Sequence, residues 1–439
     1  MFTIPRNAII CTATSALKSL LPEVFDLEKD DGQDSDDEDA NTSSQDSWTL
    51  LILVMIYEFL QGESSRWKPY LDVLPSGFNT PMFWSPSELS ELQASALVAK
   101  VGKEEADSMI KSKILAVIRA HEPIFFPAGS PKLHDDQLLE LAHRMGSAIM
   151  AYAFDLEKED DKAEEGNEED DEWIEDREGR TMLGMVPMAD MLNADAEFNA
   201  HVNHGEDALT ATALRTIRAG EEILNYYGPL SSGELLRRYG YVTPKHARYD
   251  VVELPWGLVE QELRQRVGSG LGGSEWAKVK EVVEADEDFE EGFVLERSSE
   301  DPDSTGQLGS DAVFDGLPEE LGEQCKRFLK AVKKVGSDEA AAQALSDKDM
   351  RMQVYLASVL GALQARERQY PTSLEDDEQL INSGRVTGRQ GMAMWVRKGE
   401  KQVIREAQSW IRSQLPESQN KASDRRSEDD VPAAKRRRI

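Results

Sequence analysis

Apolar positions in this chain fall into separated blocks, each with its own period. Trp48 to Phe59 (WTLLILVMIYEF) is apolar almost throughout, broken by Glu58, and predicts a buried helix. Ser87 with Glu88 to Leu92 opens a second helical section running to about Ala120. Over 135–154, Leu138, Leu141, Met145, Ala148, Ile149 and Tyr152 recur at helical spacing and predict a third. The period then shortens. ALTATALRTI (208–217) alternates in part and is rich in threonine, which predicts a strand. Arg218-Ala219-Gly220 reads as a hairpin turn and Glu222–Tyr226 as its return strand, with a short helix from Ser232 through Tyr239.

Past Tyr249 the pattern is helical again. Leu258–Val267 predicts a helix ahead of the glycine-rich turn GSGLGG. Leu321, Cys325, Phe328 and Val332 share one face; Val354, Leu356, Val359 and Leu360 mark another helix, stopped by Pro371. Ser373 and Asp376 form a capping box for a third, and Met392–Ile404 adds further apolar positions. The reading is an α+β first domain over 1–249, with short strands and a helical insert at about 48–180. An all-helical second domain follows over 250–412, then a charged tail over 413–439.

Polar segments separate these blocks. Residues 27–47 are nearly devoid of apolar side chains, and 155–176 hold 14 acidic residues in 22, so both predict disordered acidic loops. Residues 296–310 read as an acidic linker. Between the helices of the insert, Trp67, Pro69, Tyr70, Pro75, Phe78, Pro81, Phe83 and Trp84 crowd one loop, either packed on a core or rimming a ligand.

Composition narrows the function. The 439 residues suit two domains, and the formal charge of −33 argues against a broad grip on nucleic acid. That charge suits either solubility or attraction of a basic polypeptide. No run approaches the roughly 20 apolar residues of a membrane span. The start, MFTIPRNAII, does not read as a signal peptide. Cys11 and Cys325 alone exclude a disulfide framework. The closing AAKRRRI places four basic residues at 435–438, a short nuclear-import pattern.

Familiar catalytic signatures are absent: no GxxxxGK[ST], no HExxH, no GxSxG. His201 and His204, with Asp190, Asp195 or Asp207, match no metal-ligand set, so no metal is expected. In EEILNYYG (221–228), Tyr226 and Tyr227 are neighbours whose side chains point to opposite sides of a strand, and RRYGYV (237–242) follows. Taken alone, these rings serve packing or chemistry equally well.

The ordered set MADMLN (188–193), IRAGEEILNYYG (217–228) and ELLRRYGYV (234–242) resembles the SET-domain protein lysine methyltransferases. The resemblance is to the branch with a Rubisco-methyltransferase-type substrate-binding domain, and within it to the fungal ribosomal-lysine group. It covers IPRNAII, most of 48–250, and more loosely the helical remainder, where MAMWVRKGEKQVI (392–404) also matches. It implies S-adenosylmethionine as cofactor and a basic protein substrate, a large-subunit ribosomal protein, with histones or other lysine proteins as the alternative. With the charge, the apolar runs and the basic end, the expectation is a monomer in the nucleus or shared with the cytoplasm, with no direct nucleic-acid or membrane partner. Tyr227 matches the catalytic tyrosine beside the methyl-transfer channel. Tyr152, Asn193, Ala194 and Tyr239 match cofactor contacts, Ala194 standing where the family carries histidine. A glycine-containing cofactor segment normally precedes IPR, whereas the first glycine here is Gly32. The expectation is therefore an incomplete chain or a reduced pocket, the latter allowing a non-catalytic binding module on the same fold.

Overall fold

The computed structural model describes residues 1–25, 39–157, 181–205, 207–267, 271–336 and 345–416. The acidic stretches 27–38 and 158–176 and the basic run 435–438 lie outside them. The edges of both acidic segments are regular backbone, against expectation. The helix of the apolar block begins at Asp39 rather than Trp48 and runs to Leu60. Extending a helix already nucleated by its buried half costs little per residue, even through polar sequence. Asp155–Glu157 closes a strand instead of opening a loop.

The strands among these residues are β1 (Phe2–Pro5), β2 (Ala153–Glu157), β3 (Thr181–Met185), β4 (Asn193–Ala194), β5 (Ala200–His204), β6 (Ala208–Ala213), β7 (Leu224–Asn225), β8 (Val252–Pro255) and β9 (Gly292–Leu295). The predicted threonine-rich strand is β6, the centre of an antiparallel sheet ordered β1-β6-β5. Its alternation turns Leu209 and Ala211 onto Ile4, Ile9 and Val202 in the core. β2 pairs antiparallel with β3, and reciprocal Ile10–Met185 backbone bonds of 2.9 Å tie this ladder to the chain after β1.

The predicted hairpin is not formed. Gly220 does turn the chain (φ +85°), but the return segment leaves β6 and pairs parallel with β4 as the two-residue β7. Both sides of β6 are already occupied by β1 and β5, so no ladder position remains for it.

The insert has its own core. Leu51 to Ile56 are at most 1% exposed, which explains the unbroken apolar run: this helix is covered on every face. The Asp135–Tyr152 helix packs against it through Leu138, Leu141, Met145 and Ile149. Trp67, Tyr70, Phe78 and Trp84 of the aromatic loop are buried, so these rings are chiefly packing.

After residue 250 the fold is largely helical. Among the described residues the α-helices are Trp256–Val267, Gly273–Glu284, Glu319–Val335, Lys348–Arg368, Leu374–Asn382 and Gly388–Gln414. They enclose one core with Trp256, Phe328 and Leu360 at its centre. The predicted stripe of Leu321, Cys325, Phe328 and Val332 is buried, and Ser373 caps Asp376 as read. Two features depart from expectation. The antiparallel β8–β9 ribbon makes this part less than all-helical. The Gly273–Glu284 helix follows directly on the glycine turn, with Gly272 at its N-cap and Trp276, Val279 and Val283 inward.

The supposed linker 296–310 is docked. Phe198 N–H donates to Gly306 O at 2.9 Å and Arg248 to Ser310 O at 3.0 Å. Gly306 has φ +75°, and a Cβ there would lie 2.3 Å from Phe198 O, so only glycine allows the approach. Asp303 accepts from the backbone of Thr305 and Gln307, folding the acidic sequence onto itself.

The insert and the C-terminal helices share a further junction. Trp84, Leu92, Leu97 and Leu236 meet Ala393 and Val396. Beside them, Ser95 donates to Glu400 at 2.6 Å, Arg366 to Ala94 O at 2.8 Å, and Arg397 to Glu91 O.

Candidate active site

Three short segments converge beside this junction. After β3 the chain turns through Met188, a non-glycine residue at φ +81°, and presents Asp190 before entering β4. Tyr227 follows β7, where Gly228 at φ +98° lets the chain turn away at once. Tyr239 ends the Ser232–Tyr239 helix, which Ser231 caps by accepting from Glu234 N–H. Gly240 terminates that helix in the left-handed conformation, and a Cβ there would sit 3.0 Å from Thr80 N. Tyr241 is thereby set against the insert.

The rings of Tyr227 and Tyr239 stack at 4.7 Å, and Tyr241 tilts against Tyr239 at 6.2 Å. Both ends of this row are fastened to one three-residue segment, 192–194. Tyr227 Oη donates to Leu192 O at 2.6 Å, and Tyr241 Oη donates to Ala194 O at 3.0 Å. Tyr152, from the end of its helix, lies 6.5 Å from Phe78 and close enough to Tyr227 and Tyr241 to act on both electrostatically. All four rings are half-buried. Burial first, then their neighbours, push the Tyr152, Tyr227 and Tyr241 phenols upward; at Tyr239 burial, helped by Glu234, outweighs Arg238. These hydroxyls are neutral at physiological pH and are not bases.

Asp190 is the anionic member. One oxygen, Oδ2, accepts from Tyr70 Oη; the other, Oδ1, is buried with no hydrogen-bond partner. Burial pushes its carboxyl up to about 6, opposed first by the Tyr70 bond and then by the backbone of Asp190 and Met188.

Tyr152, Tyr227 and Tyr239 thus come together as the sequence suggested, and Ala194 joins them through its carbonyl. Asn193 does not: its side chain is exposed and donates to Glu222 at 2.7 Å, while its backbone pairs with Leu224. Tyr226 and Tyr227 diverge as expected, although neither lies in a strand. Tyr226 stacks on Phe198 at 4.8 Å, a packing role. His201 and His204 sit on β5, and among the described residues no group of three or more acidic, histidine or cysteine side chains is arranged for a metal ion.

Three contributors went unread in the sequence. Asp190 entered only as a companion to the histidines, although a lone acid within GMVPMADML is itself a signal. Tyr241 was passed over beside Tyr239, and Tyr70 was counted among the aromatics of its loop.

The SET-domain family profile matches residues 3–228, and the profile described as Rubisco LSMT substrate-binding matches 321–404. The chain belongs to the SET-domain family and carries the substrate-binding region of the Rubisco LSMT branch. It is similar to ribosomal lysine N-methyltransferase 4 of Saccharomyces cerevisiae, 33% identical over 269 residues, or 60% of this chain and 51% of that protein. It is also similar to the human N-lysine methyltransferase SETD6, 30% identical over 251 residues, or 56% of this chain and 45% of that protein. The chain spans about half the length of the curated relatives it matches. The fold matches the structure of Rubisco LSMT bound to AdoMet with a TM-score of 0.57 at 19% identity, over 94% of this chain and 81% of that one.

Proposed function

We propose that the chain is an S-adenosylmethionine-dependent protein-lysine N-methyltransferase acting on a large-subunit ribosomal protein. The observation that carries this reading is the group of four half-buried tyrosines, two of which, Tyr152 and Tyr227, act on the Asp190 carboxylate, whose Oδ1 is buried with no hydrogen-bond partner. Electron-rich ring faces and a buried anionic oxygen suit a cation, and both the cofactor's sulfonium and a lysine ammonium are cations. The residues present therefore fit the cofactor. Tyr152, Tyr239 and the Ala194 backbone are the residues that would hold it, with Asn193 joining only once its side chain leaves Glu222. When bound, it supplies an electrophilic methyl group.

The remaining work falls to the chain. An ionised Asp190 draws the lysine ammonium inward. In water that ammonium holds its proton up to a pH of about 10.4; loss of hydration in the aromatic cleft favours the neutral, nucleophilic amine. The Tyr227 proton is committed to Leu192 O, which leaves the Oη lone pairs free to stabilise positive charge. That oxygen is fixed before any reaction, so little reorganisation is needed.

Support for the substrate class comes from the charge of −33, which attracts basic proteins, and from the printed name of the yeast relative. Histones or other lysine proteins are the nearest alternative. The basic run 435–438 supports a nuclear location, and we take the working state to be a monomer. Ala194, where the family has histidine, favours a second reading: a binding module without turnover.

The test is incubation with isotope-labelled cofactor and purified large-subunit ribosomal proteins, histones serving as comparator, with mass spectrometry of lysines. Tyr227→Phe should lower kcat about 10²–10³-fold. Unchanged turnover in a folded Tyr227→Phe protein would sink the assignment. Cofactor binding by calorimetry without methylation of any tested substrate would favour the binding module.

A further inference from the structure

The helical insert touches the tyrosine cleft through a hydroxyl. Tyr70 lies in the short helix Lys68–Leu71 and is 9% exposed, its ring enclosed by the insert core. Its Oη reaches out of that core to Asp190 Oδ2, 120 residues away in sequence. The groups facing the Asp190 carboxylate are Tyr70 from the insert, Tyr152 from the end of the Asp135–Tyr152 helix, and Tyr227. None is a cation, and among the described residues Asp190 forms no ion pair. The only side-chain donor that stabilises its charged form is Tyr70.

We propose that Tyr70 is a positioning residue that keeps the Asp190 carboxylate ionised and its free oxygen turned to the cleft. The insert then governs the pH range over which the site receives a cationic side chain, an inference that rests on the lysine-methyltransferase reading. A carboxylate in low dielectric is strongly disfavoured unless its oxygens are bonded. Here Oδ1 is left without a partner, so compensation falls to the Tyr70 hydroxyl, the largest opposing contribution, and to the backbone of Met188 and Asp190. Burial and Asp190 push the Tyr70 phenol far above its usual range, so it keeps its proton and donates at every working pH. Without that hydroxyl only the backbone groups of Met188 and Asp190 would oppose burial, and the carboxyl would stay protonated further into the neutral range. A tyrosine that only filled space in the insert would have no such effect.

Tyr70→Phe keeps the ring and removes the donor. The titration of Asp190 is followed by carbon NMR of protein labelled at aspartate carboxyls, with Asp190→Asn identifying the signal. The expected result is an upward shift of about one unit or more in the midpoint, a tenfold or greater rise in proton affinity. A midpoint unmoved in Tyr70→Phe overturns the proposal, and it does so whether or not methylation is ever observed. The second measurement is kcat/KM against pH with large-subunit ribosomal proteins as the probe. The acid limb should move upward in Tyr70→Phe, with the deficit shrinking as pH rises. A loss equal at all pH values means packing alone and overturns the proposal. If Tyr70→Phe does not fold, the wild-type acid limb decides: it should vanish in Asp190→Asn, and its persistence overturns the idea. A shifted NMR midpoint in a chain that methylates nothing would refute the proposed function and leave the Tyr70–Asp190 link standing.

Discussion

Replacing Asp377 by asparagine probes how the C-terminal helices hold together at the insert. Asp377 is 0% exposed, and one carboxylate answers two buried cations, Arg397 at 2% and Lys401 at 0% exposure. Arg397 donates to it through Nε at 3.1 Å and Nη2 at 2.9 Å, Lys401 Nζ at 2.6 Å, and Thr372 Oγ1 at 3.1 Å. Asparagine preserves the volume but removes the charge and turns an amide donor toward one of the cations. Of the other local anions, Glu91 reaches only Arg397, at 3.3 Å, and the exposed Asp376 acts on Lys401 without bonding it. Breaking a buried pair leaves an uncompensated charge and costs about 3–5 kcal/mol. With two cations stranded, the upper end applies, which is a third or more of the ~5–15 kcal/mol stability of an ordinary domain. Arg397 also donates to Glu91 O, so the insert should loosen from these helices as well. Urea unfolding followed by circular dichroism gives the stability change, and limited proteolysis reports opening at the junction. Asp376→Asn is the control: this neighbouring carboxylate is exposed, completes the Ser373 capping box, worth about 1 kcal/mol, and attracts Lys401 only through space. If Asp377→Asn destabilises no more than Asp376→Asn, the reasoning from buried charge is wrong.

Other expectations follow from single contacts. Tyr241→Phe keeps the ring but frees Ala194 O; cofactor affinity should fall by about three- to tenfold, roughly one hydrogen bond, measured by calorimetry. Gly306→Ala forces a Cβ to 2.3 Å from Phe198 O at a positive φ, so 296–310 should undock, seen as faster amide exchange at Phe198 and greater cleavage within the segment. Asp250 is wholly enclosed, and burial pushes its carboxyl from 3.8 up to about 7 despite bonds from Ser232 and the nearby Arg297. The folded state then binds the proton more tightly than the unfolded state. Stability should fall as pH rises from about 4 to about 7 and level off above, and Asp250→Asn should flatten that slope in urea midpoints.

Much of this architecture was legible in one dimension. Leu51–Ile56 announced a helix buried on all sides, Leu209 and Ala211 a half-buried strand, and Ser373–Asp376 a helix start. Each depends on contacts between near neighbours in sequence, where period and capping chemistry are decisive. The family resemblance named Tyr152, Asn193, Ala194, Tyr227 and Tyr239 together, and all but the Asn193 side chain meet in the structure.

What the chain order could not convey was partnership. Ile223 and Leu224 read as the return arm of a hairpin because their pattern suits any strand; only occupancy of both sides of β6 sent that segment to Asn193–Ala194. Residues 296–310 read as a linker because acidic, glycine-containing sequence is usually solvated, yet Gly306 fits where no side chain could. Asp190 looked like one acid among many until Tyr70, 120 residues earlier, was placed against it and the neighbouring oxygen left bare. Burial and pairing energies depend on what surrounds a group in space. The sequence by itself therefore determined which segments would fold and which residue types stood ready for chemistry, while the tertiary structure alone decided which of them would meet.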